Sequence, residues 1–420
     1  MNYLNKEIVV IGLGYVGLPL AIRLSSIFKV IGYDISEKRV KELSNNIDRT
    51  KEVSADLLKK ADNLEITSSI ELINKKYIYI ITVPTPVNKK NVPDLSLLKS
   101  ACKLVGNVIA KEAIIIFEST VYPGVTEEIC APIISKQSNF ILNSSFYVGY
   151  SPERINPGDK EHTVEKITKV VSGSNSKITK VIGKIYESSI TAGIFYAKNI
   201  KVAETAKAIE NAQRDINIAF INEIALLCQK LNLSIYDVLD AANTKWNFLA
   251  FKPGLVGGHC IGVDPYYLSH LAKKVGYDTN VILAGRNLND KMTSIIFKNI
   301  KKLILKQNRI LQIGISFKEN VPDIRNSKAA ELSKMFIENG YDINVYDPVV
   351  DYQEVESEYG INLSELSGKY DCIIITVPHK FISLKWKNII KHLSSSAIIF
   401  DITGQYRKIL SNNKIRYWSL

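Results

Sequence analysis

The chain has 420 residues, 46% of them hydrophobic and 23% charged, with a net charge of +12. At about 150 residues per domain this length predicts two or three domains with ample cores, and the composition excludes a disordered or collagen-like chain. Five cysteines without a close CxxC pair do not resemble a disulfide framework or a zinc site, so a reducing, cytoplasmic location and no metal are expected.

The lysines are scattered and form no long block, so no nucleic-acid partner is expected; a small anionic ligand such as a nucleotide is equally compatible with the charge. The first apolar stretch, Ile8 to Ile22, is interrupted by Gly12, Gly14, Gly17 and Pro19 and preceded by Glu7. It is too short for a membrane span and poorly built for a signal peptide, and no membrane association is expected.

In chain order, four strand-like runs come first: EIVVIGLGYVG (Glu7 to Gly17), VIGYD (Val30 to Asp34), YIYIITVPTP (Tyr77 to Pro86) and AIIIFEST (Ala113 to Thr120). The same four types return in the same order as ILQIGISF (Ile310 to Phe317), INVYDP (Ile343 to Pro348), CIIITVPHK (Cys372 to Lys380) and AIIFDIT (Ala397 to Thr403). Helical or polar stretches separate the runs, as buried parallel strands with crossover helices require. The predicted fold class is α/β, with two doubly wound, Rossmann-like domains in a structural duplication.

Within the first run, Gly12, Gly14 and Gly17 form GxGxxG between a strand and a helical pattern. The first glycine allows the tight turn, the second lets backbone approach a pyrophosphate, and the third permits close helix packing. Asp34 ends the next run, where a carboxylate accepts hydrogen bonds from an adenosine ribose and repels a 2′-phosphate, favouring NAD; Arg39 argues mildly for NADP. Glu153, in GYSPERINPGD, follows the strand-like Phe146 to Tyr150 in a Pro-bounded loop, a position suited to a general acid/base or simply to solvent.

From Asn199 to Leu231 there is no Gly or Pro, and apolar residues recur at Val202, Ala206, Ile209, Ile216, Phe220, Ile224 and Leu227. That spacing predicts an amphipathic helix of roughly 50 Å at about 1.5 Å per residue, with a second helix capped by Ser234 and Asp237. A helical middle suits a dimer contact or a connector within one chain. The expected division is 1–198, 199–300 and 301–420. Lys207 and Asn211 share a helix face and could together stabilise an oxyanion, or form the wet side of the helix.

Cys260 lies in KPGLVGGHCIGVDPYYL, behind two glycines that allow close approach, with His259 beside it and Asp264 four residues on. This setting suits a nucleophilic thiolate or a packing device; Cys102, Cys130, Cys228 and Cys372 read as small core residues. In the second repeat Gly314 is followed by Ile315, Ser316, Phe317 and Lys318, so the dinucleotide device is missing. Lys318 and Arg325 could meet another phosphate or sugar, or be surface cations.

Together GLGYVGLP, TVPTP, ESTVYPG, SPER, the Lys207/Asn211 helix, GGHCIGVDPYYL and FKENVPDIRNS resemble the UDP-glucose/GDP-mannose dehydrogenase family through nearly the whole chain. The resemblance implies a four-electron, NAD-dependent oxidation of a nucleotide sugar at C6, with cofactor in the first domain, sugar nucleotide in the last, and a homodimer through the central helices. It places Cys260 as nucleophile, Lys207 and Asn211 as oxyanion stabilisers, Asp264 and Thr120 as water-handling groups, and Glu153 as acid/base. Around the cofactor it sets Gly12, Gly14, Tyr15, Val16, Gly17, Asp34, Arg39, Thr85, Thr120 and Arg325. Around the substrate it sets Glu153, Arg154, Lys207, Asn211, Arg214, Gly257, Tyr266 and Lys318, with Lys318 and Arg325 both in the substrate-side motif.

Pro157 and Val263 stand where the UDP-glucose branch has charged residues, and SPER with KWNFLAFKPG resembles the branch that oxidises UDP-N-acetylhexosamines for capsule or O-antigen synthesis. The implied chemistry is two oxidations joined by a thiohemiacetal on Cys260, ending in a thioester that water hydrolyses. A two-electron hydroxyacid dehydrogenase, a UDP-glucose enzyme and a non-catalytic nucleotide-sugar sensor are the competing readings.

Overall fold

The computed structural model describes residues 2–88, 90–155, 161, 163–258, 260–410 and 415–420, so Pro157 and His259 lie outside the described residues. Two compact units divide it, Met1–Glu210 with Tyr266–Asp278, and Asn211–Pro265 with Thr279–Leu420. Residues 199–300, expected as a helical middle, contribute to both.

In the first unit the runs of Ile and Val form β1 (Ile8–Ile11), β2 (Val30–Tyr33), β3 (Leu64–Thr67), β4 (Ile78–Ile81), β5 (Ala113–Phe117), β6 (Phe146–Tyr150), β7 (Lys169–Gly173) and β8 (Ile194–Tyr196). Their order is β3-β2-β1-β4-β5-β6-β7-β8, parallel except where β6 meets β7. β1, β4 and β5 are buried along their whole length, which is why they read as continuous apolar runs rather than alternating ones. The core gathers Ile8, Val10, Leu20, Ile80, Ile116 and Ile182.

The second unit holds β9 (Arg309–Ile313), β10 (Asp342–Tyr346), β11 (Tyr370–Ile375), β12 (Leu393–Asp401) and β13 (Arg416–Ser419), all parallel, in the order β10-β9-β11-β12-β13. The duplicated runs thus occupy equivalent places, β2-β1-β4-β5 in one unit and β10-β9-β11-β12 in the other. Cys102, Cys130, Cys228 and Cys372 are buried and Cys260 is partly exposed. Among the described residues no helix is long and apolar enough to cross a membrane.

The central helix runs from Ile200 to Lys230. Its buried side, however, is not the apolar stripe of the sequence pattern: Val202, Ile209, Phe220 and Leu227 are exposed, from 44% at Val202 to 55% at Phe220. The buried side carries Ala203, Ala208, Ala212, Ala219 and Ala225, with Ile200, Ile221 and Cys228, interleaved with Glu204, Lys207, Asp215 and Asn222. Small residues permit close approach, as where Gly285 of the Asn280–Lys301 helix meets Ala219, and each polar group must find a partner once water is excluded.

Asp215 shows what that requires. Its carboxylate pairs with the fully buried Arg286 and accepts from Asn289 Nδ2 at 2.7 Å, while Asn289 Oδ1 accepts from Asn222 at 2.8 Å. Removing one partner of a buried pair strands the other charge. Arg286→Met should therefore lower unfolding free energy in denaturant by about 3–5 kcal/mol, and the double change with Asp215→Leu should recover most of it. Equal stability of wild type and Arg286→Met would show the pair to be dispensable.

Candidate active site

In the first unit the turn after β1 assigns each glycine a separate duty. Gly12 has φ +93, the left-handed region, and its N–H bonds the Tyr33 carbonyl at 2.8 Å. A Cβ on Gly17 would sit 1.9 Å from the Gly12 carbonyl oxygen. A Cβ on Gly14 would meet nothing beyond its chain neighbours within 4 Å, so packing inside the fold does not require glycine there. Asp34 Oδ2 accepts the Leu13 N–H at 2.9 Å and Oδ1 the Ser36 N–H at 2.9 Å, leaving lone pairs on a partly exposed carboxylate. Tyr15 and Val16 complete the turn, and both are partly exposed. Arg39 is buried beneath it: Nε donates to the Leu13 carbonyl at 2.9 Å and the guanidinium pairs with Asp48 at 2.8 Å. That side chain supports the turn from behind.

Beyond β4 and β5, the Thr85 hydroxyl donates to the Thr120 carbonyl at 2.6 Å, and Tyr267 donates to the Thr85 carbonyl. Tyr266, its neighbour, is partly exposed. Glu204, on the first turn and a half of the central helix, accepts the N–H groups of Gly124 at 2.6 Å and Thr126 at 2.9 Å. This ties the segment following Thr120 to the helix that carries Lys207, three residues along, itself buried.

Glu153 is buried rather than solvated. Its Oε1 accepts the N–H groups of Arg154 at 2.6 Å and Ile155 at 2.7 Å, and its Oε2 lies 3.3 Å from Lys169 Nζ. Lys169 also pairs with Glu118 at 2.7 Å, and Tyr186 donates to Glu118. Burial pushes the Glu118 carboxyl up against the pull of Lys169; burial also opposes charge on Lys169, but Glu118 and Glu153 hold its ammonium above the ordinary value. Arg154 places its fork on Glu210, 2.7 Å at the closer oxygen, and donates to the Thr168 carbonyl at 3.1 Å.

In the second unit the Cys260 turn leads into the helix Asp264–Lys274: the Asp264 N–H bonds the Cys260 carbonyl at 2.9 Å. Asp264 is buried, and its Oδ2 accepts from Asn211 Nδ2 at 2.5 Å. An amide has two N–H bonds, so this one fixes Asn211 and leaves the other to aim. The two glycines before the cysteine are needed for packing: a Cβ on Gly257 would lie 2.5 Å from the Asn326 carbonyl oxygen, and one on Gly258 2.6 Å from the Phe317 ring. Asn326 Nδ2 in turn donates to the Gly258 carbonyl at 2.9 Å, stapling the cysteine segment to the one that carries Lys318 and Arg325. Lys318 is partly exposed, Arg325 pairs with Asp323 at 2.6 Å, and Arg214 is exposed. Val263 is buried.

Three family models match the chain in order: the NAD binding domain of the UDP-glucose/GDP-mannose dehydrogenase family over residues 6–190, its central domain over 201–291 and its UDP binding domain over 311–408. The chain belongs to the UDP-glucose/GDP-mannose dehydrogenase family. Protein CapL of Staphylococcus aureus is 48% identical, covering 99% of this chain and 100% of its own length. The UDP-N-acetyl-D-glucosamine 6-dehydrogenase of Pseudomonas aeruginosa is 46% identical, covering 95% and 96%. The solved structure of a UDP-D-ManNAc dehydrogenase from Pyrococcus horikoshii superposes with a TM-score of 0.87 at 30% identity over 98% of each chain.

The family thus makes this an NAD-dependent nucleotide-sugar dehydrogenase, and the first-unit turn fits NAD. Gly14 leaves open the space a pyrophosphate needs, and Asp34 is held by Leu13 and Ser36 with acceptor capacity remaining for a ribose. Lys169, Glu118 and Glu204 escaped the sequence reading. Glu118 had a signal, a charged residue directly after an apolar strand; Lys169 and Glu204 had none, since their partners are remote in sequence.

Gly14→Ala should keep the fold and weaken NAD binding at least tenfold, whereas Gly17→Ala should disturb the fold itself, because its Cβ meets backbone. Fluorescence titration with NADH and circular dichroism separate these outcomes; similar behaviour of both variants would contradict the assignment of duties. Burial raises the Glu204 pKa to about 7, against its two N–H bonds, so the native state holds this proton more tightly than the unfolded chain. The stability it contributes is present below about pH 4.5 and is lost as pH rises through about 7. Between about pH 5 and pH 8, wild type should lose up to about 3 kcal/mol relative to Glu204→Gln in urea unfolding, and parallel profiles would exclude it.

Proposed function

We propose that the protein oxidises the C6 hydroxyl of a UDP-N-acetylhexosamine, UDP-N-acetylglucosamine or UDP-N-acetylgalactosamine, to the uronate for surface polysaccharide synthesis. Two relatives named UDP-N-acetyl-D-glucosamine 6-dehydrogenase, at 48% and 46% identity, support the substrate class. The observation that carries the chemistry is the Cys260 turn, with the one partly exposed cysteine and the Asn211–Asp264 bond on the residue it leads into. On this reading residues 1–198 take NAD and residues 301–420 the UDP-sugar, with 199–300 between them.

What NAD supplies when bound is a hydride acceptor, used twice per sugar. Glu153 takes up the proton as C6 is oxidised to the aldehyde, or passes it on through water; two N–H donors and Lys169 hold its carboxylate in one orientation. The Cys260 thiolate adds to the aldehyde carbon to give a thiohemiacetal, which loses its hydride and its O–H proton to become a thioester. Lys207 and the second N–H of Asn211 stabilise oxygen as it gains charge, where one placed donor is worth about 3 kcal/mol. Asp264 and Thr120 direct the water that breaks the C–S bond, releasing carboxylate and thiol. Arg154, clamped on Glu210, steadies the loop that presents Glu153.

A homodimer follows from the central helix. Val202, Ile209, Phe220 and Leu227 lie on one outward stripe at spacings of seven and eleven residues, which a second copy of the same helix would cover. A reducing compartment such as the cytoplasm suits the thiol.

Each sugar should yield two NADH and a uronate, read by absorbance and mass spectrometry; one NADH with released aldehyde would sink the thioester scheme. Cys260→Ser should stall with an intermediate, because an alkoxide is harder to generate than a thiolate near neutral pH. Compared side by side, kcat/KM for either UDP-N-acetylhexosamine should exceed that for UDP-glucose by at least tenfold. Equal or better use of UDP-glucose would reassign the substrate.

A further inference from the structure

The two α/β units share a turn down to its hydrogen bonds. After β1, Gly12 N–H bonds the Tyr33 carbonyl, Leu13 N–H bonds Asp34, and the Thr82 hydroxyl bonds the Gly12 carbonyl at 2.7 Å. After β9, Gly314 N–H bonds the Tyr346 carbonyl at 3.0 Å, Ile315 N–H bonds Asp347 at 2.8 Å, and the Thr376 hydroxyl bonds the Gly314 carbonyl at 2.6 Å. TVPT of the first unit answers to TVPH of the second, so His379 stands where Thr85 stands.

That exchange changes what the strand-end carboxylate does. Asp34 is partly exposed; Asp347 is fully buried, and His379 Nε2 lies 3.1 Å from its Oδ2. The Asn320 N–H donates to His379 Nδ1 at 2.9 Å, which makes Nδ1 the acceptor and places the ring proton on Nε2, facing Asp347. Asn320, in the left-handed region at φ +59, returns the bond: its Oδ1 accepts the Lys380 N–H at 2.9 Å. The Ser316 hydroxyl bonds the Lys318 carbonyl at 2.7 Å, and the Phe317 N–H bonds the Asp323 carbonyl at 3.0 Å. The backbone before and after Lys318 is thus tied, at Phe317, Lys318 and Asn320, to its own loop or to the end of β11.

We propose that His379 is a positioning residue for the nucleotide sugar: braced by Asp347, it holds Asn320 and so fixes the loop that presents Lys318. The strand-end acid that reads a ribose in the first unit is, in the second, the foot of a clamp. This rests on the reading that the second unit takes the UDP-sugar.

The test uses the full-length protein with UDP in calorimetry and UDP-N-acetylglucosamine in kinetics. His379→Ala should raise Kd for UDP and KM for the sugar nucleotide about tenfold or more, the usual scale for stranding a buried polar group, with KM for NAD within about twofold. His379→Asn, which keeps an acceptor near the Nδ1 position, should return to within about threefold of wild type. Asn320→Gly keeps the left-handed turn and the N–H but loses the return bond, and should fall between them. Unchanged values in His379→Ala overturn the proposal, as does an equal rise in KM for NAD, which would mark general damage. If His379→Ala does not fold, wild-type values in both His379→Asn and Asn320→Gly overturn it. A wild type that binds no UDP would instead overturn the reading of the second unit.

Discussion

A single carboxylate at the end of a parallel strand organises each half of this protein. Asp34 and Asp347 each accept the N–H that follows a turn glycine, and that bond sets the direction in which the chain leaves the sheet. The constraint is elementary: a turn at the end of a buried strand leaves backbone N–H groups without sheet partners, and a neighbouring side chain must satisfy them. What differs is what else reaches the acid. Asp34 is left with capacity to spare; Asp347 is closed over by His379, Ser316 and Val349. The same scaffold therefore leaves a strand-end acid with acceptor capacity once and engages it as an internal brace once.

Buried charge is handled in the same way elsewhere. Lys169 holds both Glu118 and Glu153, and Tyr186 takes the remaining side of Glu118. In a medium that solvates ions poorly, such a cluster is tolerated only when nearly every lone pair and proton is engaged. Its consequence is that the Glu153 carboxylate is held in one orientation, which a solvated loop glutamate would not be. The Asp215, Arg286 and Asn289 group does the corresponding work on the helices of the second unit, where it fixes the central helix a turn beyond Asn211.

The central helix shows that a pattern can separate two faces without saying which of them is buried. Its length and limits follow from an uninterrupted run without Gly or Pro, and Asn199 to Leu231 is close to the observed Ile200–Lys230. Val202, Ile209, Phe220 and Leu227 face out, whereas the inward face carries alanines with Ile200, Ile221 and Cys228 and the polar Glu204, Lys207, Asp215 and Asn222. Periodicity measures the separation of two faces by hydrophobicity, and a helix that buries polar groups such as Glu204 and Asp215 while leaving apolar ones outside inverts part of the usual relation.

The sequence by itself determined the parts that depend on local spacing. The strands of the duplication and their order, the three glycines of the first turn, and the cysteine set apart from four core cysteines were legible, because each follows from residues close together in the chain; β3, β7, β8 and β13 were not. The family itself was legible too, since its motifs are local. Only the tertiary structure decided which side chains share a bond across long separations: Asn211 with Asp264, Glu153 with Lys169, Arg39 with Asp48 and the Leu13 carbonyl, His379 with Asp347 and Asn320. Those partnerships arise because folding removes water from polar groups and each must take whatever partner the packing brings near, a condition that no single segment of sequence records.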